Sequence, residues 1–196
     1  MWFSQVLIVL AVYLNVSYTY KYQYMPVDDE IFAKCQKQRN NQYDMNSLFD
    51  FSEWTLEMVG ESVIGYGNVT TVWDVQPTDR IQLDFQILHL EKGTWQPTIY
   101  SMKVLDFCSV MYNKNQYWYQ FWTRNIKHQD VVKSKCINTP GTTLQQNVCN
   151  FTSIFESHLK LFGIYKAEIR LSAFNKFQRI RPIKICSEVK GEYIRL

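Results

Sequence analysis

The residues with the greatest capacity for chemistry in this chain are its histidines. The three of them, His89, His128 and His158, lie far apart, and the sequence has neither an HExxH metal motif nor a GxSxG nucleophile motif. A serine, a histidine and an aspartate can be picked from scattered positions in almost any chain, so such a choice predicts nothing. We therefore expect no catalytic residues and no enzymatic activity.

Motifs that bind phosphate or metal ions are missing as well. Gly65-Tyr66-Gly67 is not followed by GK[ST], so we expect a β-bulge or turn there and not a phosphate loop. Asp28-Asp29-Glu30 offers too few oxygen ligands at loop spacing for calcium. No cysteine and histidine have zinc-ligand spacing. We expect no cofactor and no metal ion.

The five cysteines instead predict disulfides, since a secreted chain keeps most of its cysteines oxidised. An odd number leaves at least one thiol free or paired with another chain. Our preferred pairing joins Cys35 to Cys186, which ties the two ends together, and Cys108 to Cys136, leaving Cys149 over. The alternative joins Cys136 to Cys149 and leaves Cys108 free.

The expectation of secretion comes from the first residues of the chain. Trp2 to Leu14 is apolar except at two positions, and the first ionisable side chain is Lys21. An apolar run of this length is typical of the core of a signal peptide and is too short to span a bilayer comfortably. We predict a signal peptide over 1–19 and one secreted domain over 20–196. An uncleaved membrane anchor is the alternative.

Two sequons agree with secretion and predict glycosylation at Asn68 and Asn150. The net charge is only +3, and basic residues do not run together until the C-terminal region, so we expect no nucleic-acid partner. No other stretch approaches the length of a transmembrane helix. Stable membrane insertion is therefore not expected.

Apolar residues that alternate with polar ones predict a mainly β protein. We expect the inward-facing positions to be Trp54, Leu56 and Met58; Val69, Thr71, Trp73 and Val75; Ile81, Leu83, Phe85 and Ile87; and Tyr165, Ala167, Ile169, Leu171 and Ala173. Successive antiparallel strands with one apolar face each pack as two sheets, so the predicted fold is an antiparallel two-sheet β-sandwich.

Other segments have weaker patterns. Residues 20–50 are expected to be an irregular lead-in, and Val148 to His158 gives no clear pattern. The last strand is predicted from Gln178 to Ser187 with a kink at Pro182, followed by the short tail GEYIRL.

The period changes in residues 106–136, DFCSVMYNKNQYWYQFWTRNIKHQDVVKSKC. Trp118, Phe121, Trp122 and Ile126 follow helical spacing, which predicts one helix, continuous or broken, at about 114–134 within a helical insertion of about 110–134. The rings have too few basic neighbours for a surface that stacks nucleic-acid bases. They either pack on the core or cap an apolar cavity between the sheets.

Several longer motifs point to a family. The chain contains, in order, FDFSEW, WDVQPTDRI, GTWQP, DFC, NTPGT and GIYKAEIRLSAFNKF. This succession resembles the insect chemosensory B (CheB) family, which falls within a larger insect group of secreted proteins of unknown function. The resemblance covers most of the chain after the predicted signal peptide.

The resemblance implies a secreted β-sandwich similar to the ML lipid-recognition fold of the ganglioside-activator protein. Proteins of that fold hold acyl chains between two sheets, and CheB-like proteins are associated with gustatory perception of contact pheromones. The family has no established catalytic residues to transfer. Its paired cysteines correspond to Cys108 and Cys136.

The function expected is the binding of a hydrophobic small molecule or lipid, for example a contact pheromone or cuticular hydrocarbon. The candidate ligand-binding residues are Trp54, Met58, Trp73, Phe85, Ile87, Trp118, Phe121 and Trp122. The alternative is an accessory module without a ligand cavity that contacts a sensory receptor or ion channel. Its contact would be the exposed face of Arg179 and Arg181, or the predicted helix.

Overall fold

The computed structural model describes residues 19–27, 31–36, 41–60 and 62–196. The predicted signal peptide (apart from its last residue) and Asp28-Asp29-Glu30 lie outside the described residues. Within the described part, strands dominate and form two sheets whose pairings are antiparallel except for one short parallel contact. The predicted mainly β, sandwich-like fold is confirmed.

The larger sheet contains eight strands. They are β1 (Tyr20–Pro26), β2 (Ala33–Lys34), β3 (Gln42–Tyr43), β7 (Arg80–Glu91), β8 (Thr94–Val104), β10 (Ser153–Ser157), β11 (Ile164–Phe174) and β12 (Lys184–Arg195). The strand order is β10-β1-β12-β11-β7-β8, with β2 and β3 also paired to β12.

The smaller sheet contains four strands and is organised around its longest member. They are β4 (Phe49–Asp50), β5 (Trp54–Val59), β6 (Ser62–Thr71) and β9 (Thr143–Asn150). Strand β6 pairs with β4, β5 and β9.

The core lies between the apolar faces of the two sheets, at the end where β7 begins and β11 ends. Its buried members include Val69, Trp73, Ile81, Leu83, Leu144, Leu171, Ala173 and Ile185. Trp73 is completely buried, and its indole N–H donates to the carbonyl of Ile183 at 3.3 Å. The alternating residues predicted to face inward on β6, β7 and β11 are therefore the ones that build the core.

Residues 20–26 and the C-terminal residues up to Arg195 form regular strands, so the irregular lead-in at those positions and the short tail predicted from the sequence were wrong. Strand β1 pairs with β10 on one side and with the end of β12 on the other, for instance Tyr24 opposite Tyr193. The last strand continues through the predicted tail to Arg195. These strands are formed by pairing between distant segments, which a local sequence pattern does not reveal.

The helical insertion is confirmed, but it is not one continuous helix. It consists of α1 (Phe107–Val110), α2 (Tyr117–Phe121), a 3₁₀ turn (Thr123–Asn125) and α3 (Gln129–Val132). His128 adopts the left-handed region at φ 52°, which interrupts helical geometry. Among the described residues, no helix is long and apolar enough to cross a membrane.

The disulfides have the pairing that we preferred from the sequence. Cys35 is bonded to Cys186 and Cys108 to Cys136, while Cys149 is free and buried. The first bond joins residues 151 positions apart, so it greatly restricts the unfolded chain. The second closes the helical insertion against the core.

Two of the motifs quoted above hold each other in place. The side-chain amide of Asn138, in NTPGT, donates to the backbone carbonyls of Pro77 and Asp79, in WDVQPTDRI. The buried carboxylate of Asp79 binds Arg181 through two hydrogen bonds of 2.8 and 3.0 Å. Burial alone would raise the pKa of Asp79, but the hydrogen bonds from Arg181 and the Gln76 amide lower it below its usual value.

The larger sheet curls until strands near its two edges meet. The hydroxyls of Tyr100 on β8 and Ser157 on β10 lie 3.2 Å apart. The rings of Tyr22, Tyr165 and Tyr193 pack together inside the curl, with centroid separations of 4.7 to 6.5 Å. Burial raises the pKa values of Tyr165 and Tyr193 above the usual tyrosine value, because the phenolate form is poorly solvated there.

The opposite face of the larger sheet carries charged residues of β11 and β12 that are buried. Lys166 and Glu188 are 3% and 0% exposed, and their Nζ and Oε2 atoms are 2.6 Å apart. Glu168 lies on the same face and contacts both Lys166 and Arg170. The ring of Trp95 covers the ammonium group at 4.9 Å, so the cluster is shielded from water.

Replacing Lys166 with methionine is expected to lower the free energy of unfolding by about 3 kcal/mol, because the buried Glu188 would lose its closest cation and keep as a charged partner only Lys190, whose Nζ lies 3.6 Å away and is more exposed. The matched control is Lys103→Met, whose ion pair with Asp84 is 61% and 34% exposed. Loss of such an exposed pair costs about 0–1 kcal/mol. Urea unfolding of both variants measures the difference, and equal effects would contradict the buried-pair interpretation.

Candidate functional site

The most distinctive apolar region is a group of aromatic side chains between the smaller sheet and the helical insertion. We call it the ring cluster; its members are Phe32, Phe49, Phe51, Trp54, Trp122 and Phe151. Trp122 contacts three of the others, with centroid separations of 5.7 to 6.4 Å. Phe32 contacts Phe51, Phe151 and Trp122.

The cluster packs against the core but is incompletely covered. Phe49 is buried, whereas Phe32, Phe51, Trp54 and Trp122 are only partly buried. The partly buried rings therefore present aromatic surface that an apolar molecule can contact.

Two glycines of β6 create the space for Trp54. The sequence motif Gly65-Tyr66-Gly67 contains an irregularity in the pairing with β9, so the predicted bulge is confirmed. The indole of Trp54 lies over Gly65, where an added Cβ would come within 2.4 Å of the ring. Gly67 has φ +118°, a conformation that other residues rarely adopt.

Three buried polar atoms next to the ring cluster have no hydrogen-bond partner among the described residues. They are Trp54 Nε1, Thr123 Oγ1 and Gln146 Nε2. Thr123 is 0% exposed and Gln146 is 2% exposed. Buried polar atoms are almost always paired, so three unpaired ones in the same region require an explanation.

A chain of contacts brings these residues together. Trp54 and Gln146 both pair with Gly67, from opposite sides of β6. Thr123 directly follows Trp122, whose ring lies 5.9 Å from that of Trp54. Ile126, at the end of the same 3₁₀ turn, forms an isolated bridge with Gln146.

The free thiol of Cys149 borders this group. Its sulfur donates to Gln146 Oε1 at 3.6 Å. Burial raises the pKa of Cys149 to about 11, against smaller opposing effects of Asn125 and of the Arg124 charge. A thiol that stays protonated in this way is a poor nucleophile and a poor metal ligand.

The eight candidate residues from the sequence lie in different environments. Trp54 and Trp122 belong to the ring cluster, whereas Trp73 is fully buried in the hydrophobic core. Phe85 and Ile87 are half-buried on the larger sheet. Met58, at the end of β5, is 52% exposed.

The remaining two come from the helical insertion. Trp118 packs on Phe107 at 5.1 Å and donates its indole N–H to the carbonyl of Met111 at 3.1 Å. Phe121 is 38% exposed. Of the three rings proposed as a lid, only Trp122 therefore reaches the ring cluster.

Sequence reasoning missed Phe32, Thr123 and Gln146. Phe32 lies in a segment expected to be irregular, and Gln146 is a polar residue although it alternates with the buried Leu144 on β9. A polar residue at a buried position has no sequence signal of its own, because its burial depends on which distant segments cover it.

The structure also has a polar concave region. It is a groove of about 490 Å³ on the charged face of the larger sheet, lined by Asp84, Gln86, Lys103, Glu168 and Arg170 among others. Among the described residues, the one group with metal-ligand geometry is Cys35, Glu168 and Cys186. Its two sulfur atoms are already bonded to each other, so the group cannot hold an ion while oxidised.

Both predicted glycosylation positions lie on the smaller sheet. Asn150, at the end of β9, is exposed, whereas the side-chain amide of Asn68 on β6 donates to Glu53 at 2.8 Å. The side chains of Gln145 and Asn68 occupy the same row, on the face away from the ring cluster. A glycan at either position would therefore leave the cluster accessible.

No protein-family model matches the chain, and no curated protein matches it significantly. The ring cluster and the unpaired polar atoms beside it are therefore the features of the molecule that bear on its function.

Cys149 is expected to react with a thiol-specific disulfide reagent only after unfolding. At pH 8, raising the thiol pKa from 9.0 to about 11 reduces the thiolate fraction about a hundredfold, and burial blocks the reagent in addition. The measurement is the labelling rate in buffer and in concentrated urea, with Cys149→Ala as the control. Rapid labelling of the native protein would show that the region opens readily.

Proposed function

We propose that this protein is a secreted, non-catalytic binder of a hydrophobic or lipid-like ligand. The ligand class expected is a contact pheromone or cuticular hydrocarbon in chemosensation, as the resemblance to the CheB family suggests. The observation that carries the proposal is the ring cluster, a group of aromatic side chains between the smaller sheet and the helical insertion, four of which are only partly buried against the core. Two disulfides fit an oxidising, extracellular compartment.

Binding would be driven by removing apolar ligand surface from water. At ~25 cal/mol per Å², about a dozen buried methylene groups supply enough free energy for micromolar affinity after the costs of association. Aromatic walls suit this task because large rings provide contact area with few rotatable bonds. No bond is made or broken in this proposal.

The test is a titration of the mature protein with methyl hexadecanoate, followed by native mass spectrometry and by the fluorescence of its tryptophans. Micromolar binding with one ligand per protein is expected. Trp122→Ala should weaken binding at least about tenfold, since it removes the ring that joins the cluster together. The control is Ile99→Ala, on β8, which is 79% exposed. Failure to bind or to retain any long-chain molecule would contradict the proposal.

A second candidate function is supported by the hairpin tip between β11 and β12. Phe177 and Ile180 are 70% and 47% exposed there, beside the exposed side chains of Lys176 and Arg179. Arg181 differs from Arg179, because it is held by the buried Asp79. An exposed apolar pair with basic neighbours suits contact with the acidic surface of a protein partner such as a sensory receptor or ion channel.

Arg179→Glu tests this second function without disturbing the Arg181–Asp79 pair. Charge reversal is expected to abolish partner pull-down while leaving uptake of methyl hexadecanoate unchanged. The control is Lys92→Glu at the tip of the β7–β8 hairpin, which lies at the other end of the larger sheet. Equal effects of the two reversals would indicate a nonspecific charge effect and remove the support for a defined contact.

A further inference from the structure

We propose that Trp54, Thr123 and Gln146 form an anchor for a neutral carbonyl oxygen, such as that of an ester, ketone or aldehyde, on an otherwise apolar ligand. The inference rests on the proposed function and makes its ligand class more specific. It follows from the three unpaired polar atoms that lie beside the ring cluster.

The chemistry of the three groups defines the complementary atom. The indole N–H of Trp54 can only donate, the side-chain NH₂ of Gln146 can only donate, and the hydroxyl of Thr123 can donate or accept. A single oxygen with two lone pairs can accept from at least two of them. The site therefore fits a hydrogen-bond acceptor and not a second donor.

The three atoms differ from the other unpaired buried side-chain atoms, because they belong to uncharged groups that form no ion pair. The other buried side-chain atoms without a hydrogen bond, among the described residues, are Glu168 Oε1, Glu188 Oε1 and Arg170 Nε. These belong to the charged face of the larger sheet, where Lys166, Lys190 and Arg170 form ion pairs with the two glutamates. The three neutral atoms beside the ring cluster have no such compensation.

The strand pairing brings two of the donors to neighbouring positions. Trp54, Gly67 and Gln146 lie in one row across β5, β6 and β9, and the indole of Trp54 extends over Gly65. Because neither glycine carries a side chain, no side chain of β6 separates the indole from the Gln146 amide. Thr123 belongs to the helical insertion. The contact of Trp122 with Trp54 and the bridge between Ile126 and Gln146 hold this part of the insertion against the smaller sheet.

The surroundings favour a neutral acceptor over a carboxylate. The three donors are uncharged, and Arg124, the cation next to Thr123 in sequence, is exposed. A buried carboxylate would need a paired charge, whereas a carbonyl needs only hydrogen bonds. The adjacent rings of Phe49, Trp122 and Phe151 supply apolar contact for a hydrocarbon chain.

The experiment compares hexadecane, methyl hexadecanoate and hexadecanoic acid as ligands of the mature protein. Methyl hexadecanoate is expected to bind about tenfold more tightly than hexadecane, which corresponds to one or two hydrogen bonds, and more tightly than the ionised acid. Thr123→Val and Gln146→Leu should each reduce the preference for the ester and leave the affinity for hexadecane unchanged. The control is Gln145→Leu, whose side chain is exposed on the opposite face of β9.

The empty protein provides an independent measurement. Because Thr123→Val removes an unpaired buried hydroxyl, it should leave the thermal unfolding temperature unchanged or raise it. Destabilisation by Thr123→Val would show that the hydroxyl is already bonded in the protein without ligand, for example to a trapped water, and would overturn the anchor.

The two proposals fail in different ways. Equal affinities for hexadecane and methyl hexadecanoate, or an ester preference that survives both substitutions, would overturn the anchor and leave apolar binding intact. Tighter binding of the acid would overturn the choice of a neutral carbonyl. If none of the three molecules binds, the proposed function and the anchor are both wrong.

Discussion

Strand β12 is the element along which the rest of the larger sheet is assembled. One side pairs with β11, and the other pairs in turn with β3, β2 and β1, which come from the opposite end of the chain. The Cys35–Cys186 disulfide fixes β12 to the segment that follows β2. Since pairing between such distant segments carries a large entropic cost of closure, the covalent bond restricts the unfolded chain where that cost is greatest.

The two faces of the larger sheet carry different kinds of side chain. One face carries Ile81, Leu83 and Leu171 and packs against the smaller sheet. The other carries the buried pair of Lys166 and Glu188 beside the disulfide. A buried ion pair contributes little net stability, but removal of one partner is costly, so it makes the arrangement of this face specific.

The smaller sheet borders neutral buried groups that lack a hydrogen-bond partner among the described residues, namely Trp54 Nε1, Thr123 Oγ1 and Gln146 Nε2. Such groups reduce the stability of the folded state. In the proposed site, the partly buried rings would bind the hydrocarbon chain of the ligand and the three donors would orient its polar end.

The sequence by itself determined the β-rich class, the inward positions that build the core on β6, β7 and β11, and the bulge or turn at Gly65–Gly67. These follow from local alternation and glycine conformation. The cysteine positions left two disulfide pairings open, and the fold decided between them. Only the tertiary structure decided that residues 20–26 and the last residues are strands, that the predicted helix is broken at Trp122 and His128, and that Phe32, Thr123 and Gln146 meet Trp54. Strand pairing and burial depend on segments far apart in the chain, and a local pattern contains no information about which of them come together.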